Sequence, residues 1–172
     1  IAARAGLSLA ELHAQYRSRQ AILAAWMSQV DAGMLAGSDS DDAGASHRDR
    51  LFEVIVRRFD ALARHKTAIR AIARDLIFDP ADALAMACAM RQSLVWMLES
   101  AGIDCNGIKG QLRLKGLGLV YAATWRVWLR DDSADLSKTM ASLDRGLRQA
   151  ETAWKRLCAG WPAPLKRRQE QR

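Results

Sequence analysis

From Gln111 to Leu129 the chain is apolar on almost every side of a helix: Leu114, Leu117, Tyr121, Trp125 and Trp128 form one stripe, and Gly116, Ala123 and Val127 a second. A helix that is wet on no side has to be buried on two. After the hinge Arg130-Asp131-Asp132-Ser133, the residues Leu136, Met140, Leu143, Leu147, Ala150, Trp154 and Leu157 recur at alternating four- and three-residue steps, with polar residues between them. That is a heptad seam. The two patterns predict a helical hairpin at the centre of a bundle, one member inside the core and the other zipped onto it.

Upstream, the segment from Ile1 to Leu23 is short and densely punctuated. Ile1 to Ala5 read as the end of a helix, Gly6 as its left-handed stop, and Ser8 with Glu11 as a capping box that starts a second helix. Leu12 and Tyr16 give that helix one inward face before Arg17-Ser18-Arg19 restarts the chain, a helix-turn-helix signature. Ser18 caps a longer helix with Ile22, Leu23, Trp26, Met27, Val30 and Leu35 as its apolar positions. Gly37 to Ser46 are acidic and small and read as a loop; its aspartates lack the distal glutamate of a calcium loop. A helix from near Ser46 carries Leu51, Ile55, Phe59 and Leu62 inward, and a shorter one follows with Ile69, Ile72, Leu76 and Ile77. Asp79-Pro80 restarts the chain, and the helix it opens, apolar through Met90 and again at Leu94 to Leu98, is expected at the domain centre. Helical spacing wherever the pattern is regular predicts an all-α fold.

Charge adds an electrostatic preference. The net charge is +7 and the pI about 9.8, which favours phosphate-bearing partners, nucleic acid or anionic lipid surfaces, although much of it can be the solvated faces of helices. Cys88, Cys105 and Cys158 show neither a disulfide framework nor zinc-ligand spacing, in keeping with a reducing bacterial cytoplasm. No apolar run has the length of a transmembrane span, so an integral membrane segment is not expected, and peripheral membrane contact is the one membrane association left open. The chain starts at Ile1 rather than at methionine and is expected to lack preceding residues.

Two resemblances follow from particular residues. Ile1-Ala2, Ala5-Gly6, Ser8, Leu12, Tyr16, Arg19 and Leu23 fall in register with the DNA-reading unit of the TetR family. Lys115, Leu117, Val120-Tyr121, Thr124, Trp128, Asp131-Asp132-Ser133, Asp135, Thr139 and Leu143-Asp144-Arg145 resemble the carboxy-terminal signature of the ubiquinone-biosynthesis accessory family, whose members share the TetR fold. The resemblances imply a helix-turn-helix unit over 1–24 without its first helix, a helical ligand-binding and dimerisation domain over 25–159, and a basic tail over 160–172. They imply a homodimer with operator DNA and a hydrophobic small molecule or lipid as partners. In the second family the lipid is an isoprenoid quinone intermediate and a ubiquinone-pathway hydroxylase is a further partner.

For DNA, the candidate residues are Arg4, Ser8, His13, Gln15, Arg17 and Arg19. Arginines and a helix start suit phosphates, and Gln15 suits a bidentate contact to adenine. The outward Leu9, Ala10 and Ala14 are poor base readers, so an inherited cap that reads no DNA is the alternative. For an apolar ligand, Phe59, Met86, Met90, Trp96, Met97, Tyr121, Trp125 and Trp128 are expected to converge, with Arg91 as a polar anchor; ordinary core is the alternative for each. Ala123, Val127, Met140, Leu143, Leu147 and Trp154 are the candidate dimer contacts. The chain has no nucleophile elbow and no phosphate loop, and Asp131, Asp132 and Asp135 are read as helix caps rather than metal ligands. An enzyme, a bound metal and a cofactor are therefore not expected.

Overall fold

Local capping sets where the helices begin in the computed structural model, which describes residues 2–36, 44–76 and 78–159. Eight helices and no strand occur among the described residues: α1 (Ala2–Ala5), α2 (Leu9–Gln15), α3 (Arg19–Leu35), α4 (His47–Ala63), α5 (Lys66–Asp75), α6 (Pro80–Ser100), α7 (Gly107–Trp128) and α8 (Ser137–Ala159). Ser18 accepts the N–H of Ala21 at the start of α3, and Ser46 that of Asp49 at the start of α4. Asp79 accepts the N–H groups of Ala81 and Asp82, with Pro80 at the first helical position. Each acceptor satisfies donors that the first turn leaves open. Gly6, at φ +68°, makes the left-handed stop expected of it. Most of the acidic loop, Ile77 and the basic tail with Trp161 lie outside the described residues.

The hairpin is present, with α7 and α8 as the most extensive helix pair. Gly146 permits their close approach, because a Cβ there would stand 2.8 Å from Val120 Cγ1. Leu143 and Leu147 bury against α7 and the rest of the core. The hinge is built around Asp131, which is buried and accepts Ser133 N at 3.2 Å, Thr139 N at 2.9 Å and Thr139 Oγ1 at 2.7 Å, besides the Ser133 hydroxyl. These hydrogen bonds hold its carboxyl far below the usual carboxylate range. Asp135 caps the chain at Ser137 N, as expected of this aspartate group. Arg70 of α5 donates to Leu129 O at 2.7 Å and Asp132 at 2.7 Å, tying α5 to the hinge.

α4 is the most deeply buried helix, and α6 packs on three neighbours as expected, α3, α4 and α7. Leu51, Val54, Ile55, Phe59 and Leu62 of α4 are buried, and the helix packs on α3, α6 and α8. In α6 the buried apolar residues are confined to Leu94, Met97 and Leu98, whereas Leu84, Cys88 and Trp96 are exposed. The alanines of its first half made the sequence look core-like, but methyl groups supply helix propensity with little area to bury. On α7, too, the second stripe is only partly covered: Gly116 and Val127 are half-buried and Ala123 is exposed, with Leu119 beside them 75% exposed. Among the described residues no helix is long and apolar enough to cross a membrane.

Candidate functional site

At the amino-terminal end the short α1, the left-handed Gly6 and α2 follow one another, and no residue of α2 is fully buried. The Ser8–Glu11 capping box is complete: Ser8 N and Oγ donate to Glu11 Oε2 at 2.8 and 2.7 Å, and Glu11 N donates back to Ser8 Oγ at 3.2 Å. Those contacts keep the Glu11 carboxyl below its ordinary pKa. The Ser8 hydroxyl therefore serves the helix start first. Arg4, His13, Gln15 and Arg17 are all exposed around α2, and so is Leu9, at 78%. Arg19 departs from the expectation of a free phosphate contact. Its guanidinium pairs with Asp79 at 3.2 Å and with the buried carboxylate of Asp82, which also accepts from Gln20. A division of the chain at residue 24 falls inside α3, which runs unbroken from Arg19.

The aromatic residues expected to wall a pocket do converge, but as packed core. Phe59 stacks on Tyr121 with centroids 5.4 Å apart and an interplanar angle of 8°, and Trp128 lies 5.5 Å from Phe59 and 5.0 Å from the half-buried Trp125. Met97, Phe59, Tyr121 and Trp128 are all buried, and none of them borders either cavity described below. Met90 packs on the core edge, and Met86 borders a cavity of about 270 Å³ between α3 and α6. Trp96 is 42% exposed, and Arg91 is exposed, with a 3.5 Å hydrogen bond to Gln111. In this structure Phe59, Tyr121, Trp125 and Trp128 pack on one another, and Arg91 faces solvent.

Behind the aromatic stack lies a polar cluster not anticipated from the sequence. Arg58 is fully buried; it pairs with Asp31 and donates to Tyr121 Oη at 3.2 Å, Ser93 Oγ at 3.2 Å and Met27 Sδ at 3.8 Å. Ser93 in turn donates to Asp31 Oδ2 at 2.7 Å. The cluster links α3, α4, α6 and α7, and burial pushes the Tyr121 hydroxyl up in pKa. The signal was present: Asp31, Arg58 and Ser93 each fall on the inward steps of an apolar stripe, where a polar residue needs partners.

Open space lies instead at the opposite end of the hairpin. A cleft of about 740 Å³, open to solvent on one side, lies between the start of α4, the end of α6, the first part of α7 and the last half of α8. Leu51, Leu98, Leu117, Val120 and Leu147 form its apolar walls, and His47, Arg48, Asp104, Arg113, Glu151 and Lys155 its polar margin. Trp154, expected at a dimer seam, lines this cavity with the Arg113 guanidinium 4.6 Å over its ring. Leu143 and Leu147 are likewise not free for a second chain, since a heptad seam is satisfied here within one hairpin. Met140 and Val127 are both half-buried, and Ala123 is the one expected dimer residue that is exposed.

These features sit on a TetR-like fold. The structure is similar to the crystal structure of the TetR transcriptional regulator from Nitrosomonas europaea ATCC 19718, with a TM-score of 0.71 and 24% sequence identity over 88% of this chain and 83% of that one. No family model and no curated protein matches the chain.

Proposed function

We propose that the chain is a TetR-like transcriptional regulator that binds operator DNA as a dimer and answers to an apolar ligand in its helical domain. The observation that carries this reading is the exposed outer face of α2, with only Leu12 half-buried, ringed by the exposed Arg4, His13, Gln15 and Arg17 on a fold shared with a TetR regulator. A short exposed helix with a capped start is what a major groove accepts. The exposed Leu119 and Ala123 on one face of α7, beside the half-buried Val127, support pairing of two chains across this face.

The test is a mobility-shift titration of the full-length protein on its own promoter DNA at physiological salt. Sequence-selective retardation is expected. Gln15→Ala should lose about 1–3 kcal/mol of discrimination at one base pair, whereas Arg17→Ala should weaken all sequences alike and lower the salt slope by about one. Binding that is weak, salt-labile and indifferent to sequence would refute operator recognition.

A second reading is favoured by the tethering of Arg19 to Asp79 and Asp82, which withdraws one cation from the DNA face, and by the apolar cavity. In it the chain is a lipid- or isoprenoid-quinone-binding accessory protein of ubiquinone biosynthesis, presenting its cargo to a hydroxylase. Purified protein should then carry an isoprenoid detectable by mass spectrometry, and deleting the gene should lower ubiquinone. Unchanged quinone levels dismiss it.

A further inference from the structure

We infer that the cavity between α4, α6, α7 and α8 binds one single-chain amphiphile, its apolar tail along Leu117, Val120 and Leu147 and its anionic head on Arg113. The inference rests on the proposed ligand response of the helical domain, for which it supplies the site and the ligand class.

Shape and chemistry agree on this occupant. About 740 Å³ is within the range of sites that enclose a small molecule, and the walls are aliphatic rather than polar. At the margin the charges are mostly answered already. Arg48 pairs with Asp49 at 2.9 Å and Lys155 with Glu151 at 2.7 Å, while Asp104 accepts from Asn106 N and Nδ2 at 2.9 and 2.8 Å. Arg113 differs. It donates Nη1 to the main-chain oxygen of Asp104 at 2.9 Å and rests on the Trp154 ring; after the Asn106 hydrogen bonds, its charge helps hold the Asp104 carboxyl below the usual range, but no carboxylate closes on it as an ion pair among the described residues. A guanidinium that is held in place yet keeps donors in hand is suited to a carboxylate or phosphate, which it meets with two parallel hydrogen bonds. Its position beside aliphatic walls selects a ligand that is anionic at one end and apolar along the rest.

Gly116 makes the inference testable without harming the fold. It lines the cavity, and a Cβ built on it meets no heavy atom within 4 Å, so a side chain there enters the open space. It also lies inside α7, where a leucine is a better helix former than glycine.

The experiment is calorimetric titration of the purified protein, without DNA, with palmitate, palmitoyl lysophosphatidate and hexadecanol below their aggregation thresholds. Saturable binding of one ligand per chain is expected for an anionic amphiphile, with hexadecanol about tenfold weaker, as the loss of one charged hydrogen bond dictates. The tighter of the two anions identifies carboxylate or phosphate as the head. Gly116→Leu should abolish binding with an undiminished melting temperature, and Arg113→Met should bring the acid down to the level of the alcohol. No saturable binding, equal affinity for hexadecanol in the unaltered protein, or an unaffected Gly116→Leu variant would overturn the assignment. Each leaves operator recognition by α2 standing, since no DNA enters the measurement.

Discussion

Arg58 and Arg113 are both arginines set against aromatic residues of the same hairpin, yet their surroundings differ in kind. Around Arg58 every neighbour is an answer: Asp31, Ser93, Tyr121 and the Met27 sulfur surround the guanidinium, and no solvent reaches it. Around Arg113 one main-chain oxygen and one indole face hold the group while open space adjoins it. A buried cation whose three nitrogens are all partnered locks helices together, whereas one with donors left over at an apolar cleft is equipped to meet something else. The aromatic cluster beside Arg58 is for that reason architecture, although its residue types read as a ligand wall.

The largest effect is expected from breaking the first region. Arg58→Ala leaves the Asp31 carboxylate among Ser93 and Tyr121 with its cation gone and should cost about 3–5 kcal/mol, as loss of one partner from a buried pair does. Urea unfolding measures this, and a loss below about 1 kcal/mol would show that water or a neighbour replaces the guanidinium. The double variant Arg58→Met, Asp31→Leu should recover much of the loss, because no buried charge is then left alone.

The hinge between the two regions comes next. Asp131→Ala removes the acceptor for two main-chain and two hydroxyl donors around Ser133 and Thr139, with an expected cost of about 1–3 kcal/mol. The same residue sets a pH dependence. Its folded pKa lies far below the ordinary 3.8, so its stabilisation is complete above that value and is lost as pH falls below it toward the depressed one. Thermal melts from pH 6 downward should fall more steeply for the unaltered protein than for Asp131→Asn; parallel acid limbs would remove Asp131 from the account.

What could be read in the sequence was local. Ser18, Ser46, Asp79 and Gly6 mark helix ends through contacts within three residues, and each stands where the spacing places it. The helix-turn-helix step and the hairpin share this property. Burial, by contrast, depends on which helices meet. The apolar α6 reads as central and does touch three helices, but alanine makes its first half apolar without giving it much to bury, and α4, with larger side chains and a charged residue on its inward face, is buried more deeply. Nor can a stripe declare whether it faces a neighbour or a void. Trp125 and Trp154 both occupy regular inward steps of the hairpin, yet one joins the aromatic stack and the other borders the cavity, a difference set by how α4 and α6 close over the two ends. Arg58, Asp31 and Ser93 were legible in principle, as polar residues on apolar steps.

The smallest effect should come from the second arginine, and it sharpens the contrast most. Arg113→Ala removes one hydrogen bond to a main-chain oxygen at an exposed loop and one guanidinium–indole contact, the latter worth about 0.5–1 kcal/mol where solvent has access. No carboxylate is stranded by the change, since Asp104 keeps its hydrogen bonds to Asn106. The urea midpoint should therefore shift several-fold less than for Arg58→Ala. A comparable loss at both positions would mean that Arg113 is as structural as Arg58, and the distinction between a completed and an uncompleted guanidinium would fail at its decisive point.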